Sequence, residues 1–372
     1  MSNQFKRTEF PCYKLPAGAT PDQIRAMAVQ AMFDGLTVPW TPKADFSYGK
    51  VANGKPTEFL KTAGTEYVGL PYTDGRGGVL TWLQYYDFET GTFDPPADRN
   101  FNANLGNSCA SAVANGWRAV IPDFYACATY SFTRSRGCTL VGDYEMDLPE
   151  TGDLRHVGTK ETIEKNGREK IMECYTLVKP GDLLLYICYE SNKGNHAIMA
   201  ADTPSVVRFP DGRIDPQKSV LVIQDQRFYQ KPHEVNGEMM LISGRVRTGV
   251  TFAQMISEGY IPITHPVLTG EVPYTPAALS VEGAPSLTGW KDLTLVSNYQ
   301  IVALKAVFTD GAGKVLGSEK RVSYAEEFVN GIGFRFPLEK MAVPAVPAGA
   351  KRLTLSAMVT TGEVLTAFAV DL

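Results

Sequence analysis

The chain has 372 residues, 44% hydrophobic and 20% charged, with 36 Lys plus Arg against 40 Asp plus Glu and a net charge of −4. Charges of both signs are scattered, which excludes the basic footprint of a nucleic-acid binder, and no apolar run approaches the roughly 18 residues of a membrane-spanning helix. The length is more than one ordinary core accommodates, so two domains are expected.

Residues 1–20 are rich in turn formers. A helix follows, with Thr20 as cap, Pro21 at its first position and Gly35 at its end. Val38-Pro-Trp-Thr-Pro42 reads as extended, and a loop runs from Tyr48 to Lys61. Glu66–Thr73 is a short strand that enters a glycine-rich loop, Asp74 to Gly78. Leu80–Phe88 reads as helical, and residues 89–104, with Pro95-Pro96, read as loop.

Asn104-Leu-Gly-Asn-Ser-Cys-Ala-Ser-Ala-Val-Ala-Asn-Gly-Trp117 breaks from a polar loop into a helix that stops near Pro122. Asn107 or Ser108 can cap it, and Ala110, Val113, Ala114 and Trp117 form one apolar face. Residues 123–170 read as an irregular insertion with a short exposed helix at Thr159–Lys165. Cys174–Cys188 suggests two β segments around a Pro180-Gly-Asp182 turn, with both cysteines in the core. Asn195–Ala201 and Ser219–Gln226 are strands, joined by an arm with a turn at Pro210-Asp-Gly212. Another strand pair and a helix around Thr251–Glu258 complete residues 227–268.

Glu271-Val-Pro-Tyr-Thr-Pro276 is the linker. Beyond it lie the strand-like stretches 292–297, 300–308, 333–336, 352–359 and 364–370, separated by turns. Short strands at this spacing argue for an all-β, immunoglobulin-like sandwich over 271–372, able to fold independently, with 1–270 as the first domain.

Cys109 sits at a helix start, where free N–H groups and the helix dipole favour a thiolate. A thiolate nucleophile needs a base and a third polar group to hold the base. Of the four histidines, His156 and His233 lie in charged or turn-rich segments and His265 precedes a proline. His196 alone opens a buried apolar strand. Asp225 or Gln224, at the polar end of the next strand, is the candidate third group, and these two residues face opposite sides of that strand. The six Cys include no C-x-x-C pair, so neither a zinc ribbon nor a redox motif is expected; no metal site and no cofactor are expected.

Gly69-Leu-Pro-Tyr72, Asn107-Ser-Cys-Ala-Ser-Ala112, Lys179-Pro-Gly-Asp-Leu-Leu-Leu185 and His196-Ala-Ile-Met-Ala200, in this order, resemble the motifs of the NlpC/P60 cysteine peptidases. The resemblance covers roughly residues 60–230. It implies an α+β fold with a papain-like core and a central antiparallel sheet. It assigns Cys109 as nucleophile, His196 as base and Asp225 (alternatively Gln224) as orienting residue. Tyr72, Ser108 and Asn195 are assigned to substrate binding. Hydrolysis of an amide bond in a bacterial cell-wall (peptidoglycan stem) peptide is the implied activity. Ser108-Cys109-Ala110 stands where family members usually carry Asp-Cys-Ser, and residues 123–170 lengthen the Cys-to-His separation. The amino terminus lacks the apolar stretch of a signal peptide. A cytoplasmic location is therefore expected unless an export signal is missing from this sequence, in which case the cell wall or exterior is expected. The alternatives are a binding protein on the same scaffold, a transferase using the same three residues, and a loose G-x-S-x-A elbow with Ser108 attacking. The last lacks the apolar strand such an elbow requires.

Overall fold

The computed structural model describes residues 10–52, 55–73, 77–94, 106–124, 128–148, 158–188, 194–235, 237–322, 327–329, 333–341 and 346–371. His156, Cys127, Asn104, Pro95-Pro96 and most of the glycine-rich loop lie outside these residues. The chain is α+β with several antiparallel sheets. It forms two compact units. The first takes Gly18–Trp117 and Ala126–Tyr274; the second takes Phe10–Ala17, Arg118–Tyr125 and Thr275–Leu372.

The first unit opens on helix α1 (Pro21–Thr37). Thr20 Oγ1 accepts from the Gln23 N–H at 3.4 Å and Gln23 Oε1 accepts from the Thr20 N–H at 2.9 Å, a reciprocal cap that fixes the helix start. Gly35 does not end the helix; it lies in the last turn, and Pro39 stops the helix at Val38. Strand β1 (Pro39–Pro42) pairs with β4 (Tyr67–Val68) and β6 (Thr92–Phe93), and β6 pairs with β5 (Tyr86–Asp87). Between them, β2 (Phe46–Ala52) and β3 (Lys55–Lys61) form a hairpin where a loop is expected from the sequence. The Asn53-Gly54 pair carries that hairpin signal. Of Leu80–Phe88, residues through Tyr85 are helical, in α2 (Gly78–Trp82) and a following 3-10 turn (Leu83–Tyr85), before β5 begins. Trp40, Trp82 and Phe93 stack into one buried aromatic knot, with Trp82 and Phe93 parallel at 3.9 Å.

Helix α3 (Cys109–Arg118) leads to a short strand β7 (Thr139–Leu140) and helices α4 (Thr159–Asn166) and α5 (Arg168–Thr176). The β segment expected at Cys174 is therefore the end of a helix. Ile171, Cys174 and Tyr175 are buried at i, i+3 and i+4, so helical periodicity outweighs the strand-like composition. Cys188, expected in the core, is half-buried.

The six-stranded central sheet is antiparallel throughout, in the order β11-β10-β9-β8-β12-β7. Its strands are β8 (Leu183–Tyr186), β9 (His196–Ala200), β10 (Val220–Val235), β11 (Glu238–Thr251) and β12 (Ile261–Thr264). β10 and β11 form a long hairpin that runs well beyond the stretch ending at Gln226. Helices α6 (Phe252–Glu258), capped by Thr251, and α7 (Pro266–Thr269) close the unit. His265, buried, caps α7 through Nδ1, and burial pulls its imidazole down to about 4.

Asp182, in the Pro-Gly-Asp turn, ties this unit together. It is buried, receives Arg25 Nη1 of α1 at 2.7 Å, and also accepts from Thr264 Oγ1 and the Lys179 N–H. Arg25 further donates to the carbonyls of Pro180 and Leu268. The turn motif thus serves the structure by joining α1 to the sheet.

Gly116 of α3 lets the helix approach α1 and β9. A Cβ there would lie 2.7 Å from Met199 Cε and 2.8 Å from the Ala28 carbonyl oxygen. Gly116→Ala is accordingly expected to destabilise the protein by about 1–3 kcal/mol through overpacking, against a helix-propensity gain of about 1 kcal/mol. A lowered denaturant midpoint checks this; an unchanged or raised one contradicts the close approach.

The second unit holds two four-stranded antiparallel sheets. One has the order β13 (Leu279–Glu282), β14 (Thr294–Ser297), β18 (Gly333–Pro337), β17 (Glu327–Val329). The other has the order β16 (Val315–Val322), β15 (Ile301–Thr309), β19 (Arg352–Val359), β20 (Val364–Asp371). Trp290, Leu295, Leu304, Phe308, Phe336 and Leu355 from both sheets and their connections share one core. All five stretches expected as strands are strands; β13, β16 and β17 are additional. The unit also draws on earlier chain. The Tyr13 N–H donates to the Thr361 carbonyl at 2.7 Å, and the Tyr299 hydroxyl reaches the Val120 carbonyl at 3.2 Å.

Candidate active site

Cys109 is the first residue of α3, and its start is built by serines. Ser108 Oγ accepts from the Ser111 N–H at 3.3 Å, while the Ser108 N–H donates to Ser111 Oγ at 2.7 Å. Ser108, expected to bind substrate, therefore spends its hydroxyl on the cap. Asn107 fastens the incoming chain to the Pro71-Tyr72-Thr73 segment. Its N–H donates to the Pro71 carbonyl at 3.0 Å and its carbonyl accepts from the Thr73 N–H at 3.1 Å. Gly106, at φ 94°, is required where the chain crosses this segment, because a Cβ would run into the Pro71 carbonyl. The crossing puts Tyr72 beside the sulfur, and its hydroxyl hydrogen-bonds Cys109.

His196 is the first residue of β9 and Asp225 lies on the neighbouring β10. His196 Nε2 meets Asp225 Oδ2 at 2.7 Å. The His196 ring also interacts electrostatically with Cys109, and with Nε2 taken by Asp225, Nδ1 is the nitrogen left for the sulfur. Cys109, His196 and Asp225 are thus brought into one chain of contacts. Cys109 Sγ lies 3.9 Å from the Asn195 carbonyl oxygen, while Asn195 Oδ1 accepts the Cys188 N–H at 2.8 Å. Gln224, the alternative third residue, is directed elsewhere: its Nε2 donates to the Val29 carbonyl of α1 at 2.9 Å. His233 lies in the outer part of the β10–β11 hairpin.

The electrostatics follow from burial opposed by charge. Burial alone pushes the Cys109 thiol up, as it does at Cys138 and Cys174. At Cys109 the His196 charge and hydrogen bond, the Ala197 backbone and the Tyr72 hydroxyl outweigh burial and hold the thiol below its ordinary value. Burial likewise pulls His196 down, but Cys109 and Asp225 raise it to about 9. Asp225 is fully buried, which favours protonation; His196 and Arg245 outweigh this and hold its carboxyl well below the usual range. The shifts thus favour a Cys109 thiolate paired with a His196 imidazolium, beside an ionised Asp225.

Two arginines flanking Asp225 are not evident from the sequence. Arg245 of β11 brings Nη2 to Asp225 Oδ2 at 2.7 Å and its own N–H to Oδ1 at 3.0 Å; Arg227 Nε reaches Oδ2 at 2.7 Å. Both depend on irregular pairing. Register shifts occur between Ile223 and Asp225, and again between Gln226 and Gln230, so that residues 227–229 form a bulge in the β10–β11 register. Gly244, at φ 143°, permits this, since a Cβ would run into the Asp225 carbonyl.

Among the described residues no cluster of His, Cys, Asp and Glu could hold a metal ion, and no helix is long and apolar enough to cross a membrane. Comparison with family models, with curated proteins and with solved structures returned no match.

Proposed function

We propose that the chain is a cysteine peptidase or amidase of the NlpC/P60 kind, acting on an amide bond in bacterial cell-wall peptides. The observation that carries this reading is the position of His196, hydrogen-bonded to Asp225 at 2.7 Å and acting electrostatically on Cys109. That geometry supports reading Cys109 as the nucleophile, His196 as the base and Asp225 as the orienting group. A papain-like core is supported by the placement of the thiol at the start of α3, the imidazole at the start of β9 and the carboxylate on β10. The order of the two sheets in the second unit, A-B-E-D and C′-C-F-G when lettered along the chain, supports an immunoglobulin-like sandwich.

In the proposed reaction the Cys109 thiolate attacks the amide carbonyl carbon. The Cys109 N–H, at the helix start, is a donor for the oxyanion. His196 gives its Nδ1 proton to the departing amine, the C–N bond breaks and a thioester remains. Water then gives a proton to His196 and its oxygen to the carbonyl carbon, releasing the acid and restoring the thiolate. Asp225 keeps the ring oriented and stabilises the imidazolium throughout.

The test is incubation of wild type and Cys109→Ala with soluble peptidoglycan stem-peptide fragments, followed by mass spectrometry. The expected result is product pairs that together exceed the parent by one water, with wild type only. Fragments unchanged by wild type would contradict the proposed substrate.

A further inference from the structure

We infer that Arg227 receives a carboxylate carried by the substrate close to the scissile amide; this rests on the proposed amide-cleaving role of Cys109. Three observations lead there. The first is the bulge. Residues 227–229 lie where the β10–β11 register slips, and bulges of this kind re-aim side chains. The bulge touches the site at two points: Arg227 Nε bonds Asp225 at 2.7 Å, and the Phe228 ring meets the Tyr72 ring edge-on at 6.0 Å. Tyr72 in turn bonds Cys109.

The second is the unused half of the guanidinium. Arg227 spends Nε on Asp225, and its two terminal nitrogens have no acceptor among the described residues. The side chain is 37% exposed, against 14% for Arg245. A guanidinium held at Nε, with its terminal nitrogens free at the edge of a site, matches the geometry of carboxylate recognition.

The third is the charge balance. The Cys109 thiolate and Asp225 carry two negative charges, while His196, Arg245 and Arg227 carry three positive ones. Arg245 and His196 already satisfy Asp225. Glu258 of α6 acts on Arg227 only at longer range, and its carboxylate accepts Gln254 Nε2 at 2.8 Å. One positive charge is therefore left over on the Asp225 side of the site, which suits an anionic group on the ligand.

Iodoacetate and iodoacetamide differ in carrying a carboxylate or a neutral amide on the same alkylating carbon, so their rate ratio at Cys109 reads the Arg227 field directly. The expected result is a wild-type iodoacetate-to-iodoacetamide ratio that falls about tenfold in Arg227→Gln and is largely kept in Arg227→Lys. Because each ratio is taken within one variant, a general loss of reactivity cancels. In wild type, N-acetylalanine should also protect Cys109 from iodoacetamide at concentrations where N-acetylalaninamide does not. An unchanged ratio in Arg227→Gln, or equal protection by the two ligands, overturns the role of Arg227 while leaving the thiolate intact. A Cys109 no faster than Cys12 with both reagents would instead overturn the amide-cleaving reading and this inference with it.

Discussion

Replacing His196 with alanine is expected to lower amide cleavage about 10³-fold or more, nearly as much as Cys109→Ala, and the double variant should be no worse than either single one. Residues that act as a unit lose their joint effect when any member goes, so their costs do not add. The structure gives the reason for this site. His196 favours the ionised form of the Cys109 thiol, and in the proposed reaction it would carry the proton to the leaving amine. Without it, burial is left to raise the thiol, and the leaving group has no acid. Steady-state kcat/KM on a cleaved stem peptide checks the prediction. A His196→Ala enzyme within about tenfold of wild type would remove His196 from the reaction.

The second large effect concerns stability. Arg25→Ala or Asp182→Ala is expected to cost about 3–5 kcal/mol, because each leaves a buried charge without its partner. Arg25 and Asp182 side chains are 5% and 2% exposed and meet at 2.7 Å. Arg25 also holds two carbonyls, and Asp182 also receives Thr264 and the Lys179 N–H. The paired replacement Arg25→Met with Asp182→Leu should cost less than either single change, since it removes both buried charges together. Denaturant unfolding of the first unit reads all three. Single variants within about 1 kcal/mol of wild type would show that the pair is not what joins α1 to the turn.

The candidate site was legible where local rules suffice. A Ser-Cys pair before an apolar helical face marks a helix start at Cys109, and a His opening the apolar run 196–201 marks a strand end beside it. Alternation along 221–226 correctly put Asp225 and Gln224 on opposite faces, and the contacts of each decide which one meets His196. Arg227 and Arg245 were not legible, because their approach to Asp225 depends on where the β10–β11 register slips. Spacing within one strand does not reveal a slip against its neighbour. The same limit applies to Asp182. The Pro-Gly-Asp turn is visible in the sequence, but its partner Arg25 lies far away on α1. At Cys174 the error was of another kind. Strand-favouring residues ended a helix whose buried positions follow a period of 3.6, so composition misled where periodicity would not.

The central claim is that Cys109 is held as a thiolate by His196, and the pH dependence of its alkylation tests this most directly. The rate constant for iodoacetamide at Cys109, followed by peptide mass spectrometry from pH 4 to 10, should stay high well below the ordinary thiol range near about 8.5. It should fall only at a more acidic pH, as protonation of the sulfur dissolves the ion pair. It should not fall as pH rises through about 9, where His196 loses its proton but the sulfur stays ionised. In His196→Ala the midpoint should move up to or beyond the ordinary thiol value. A wild-type profile that rises with a midpoint near about 8.5 and is unchanged by His196→Ala would contradict the account.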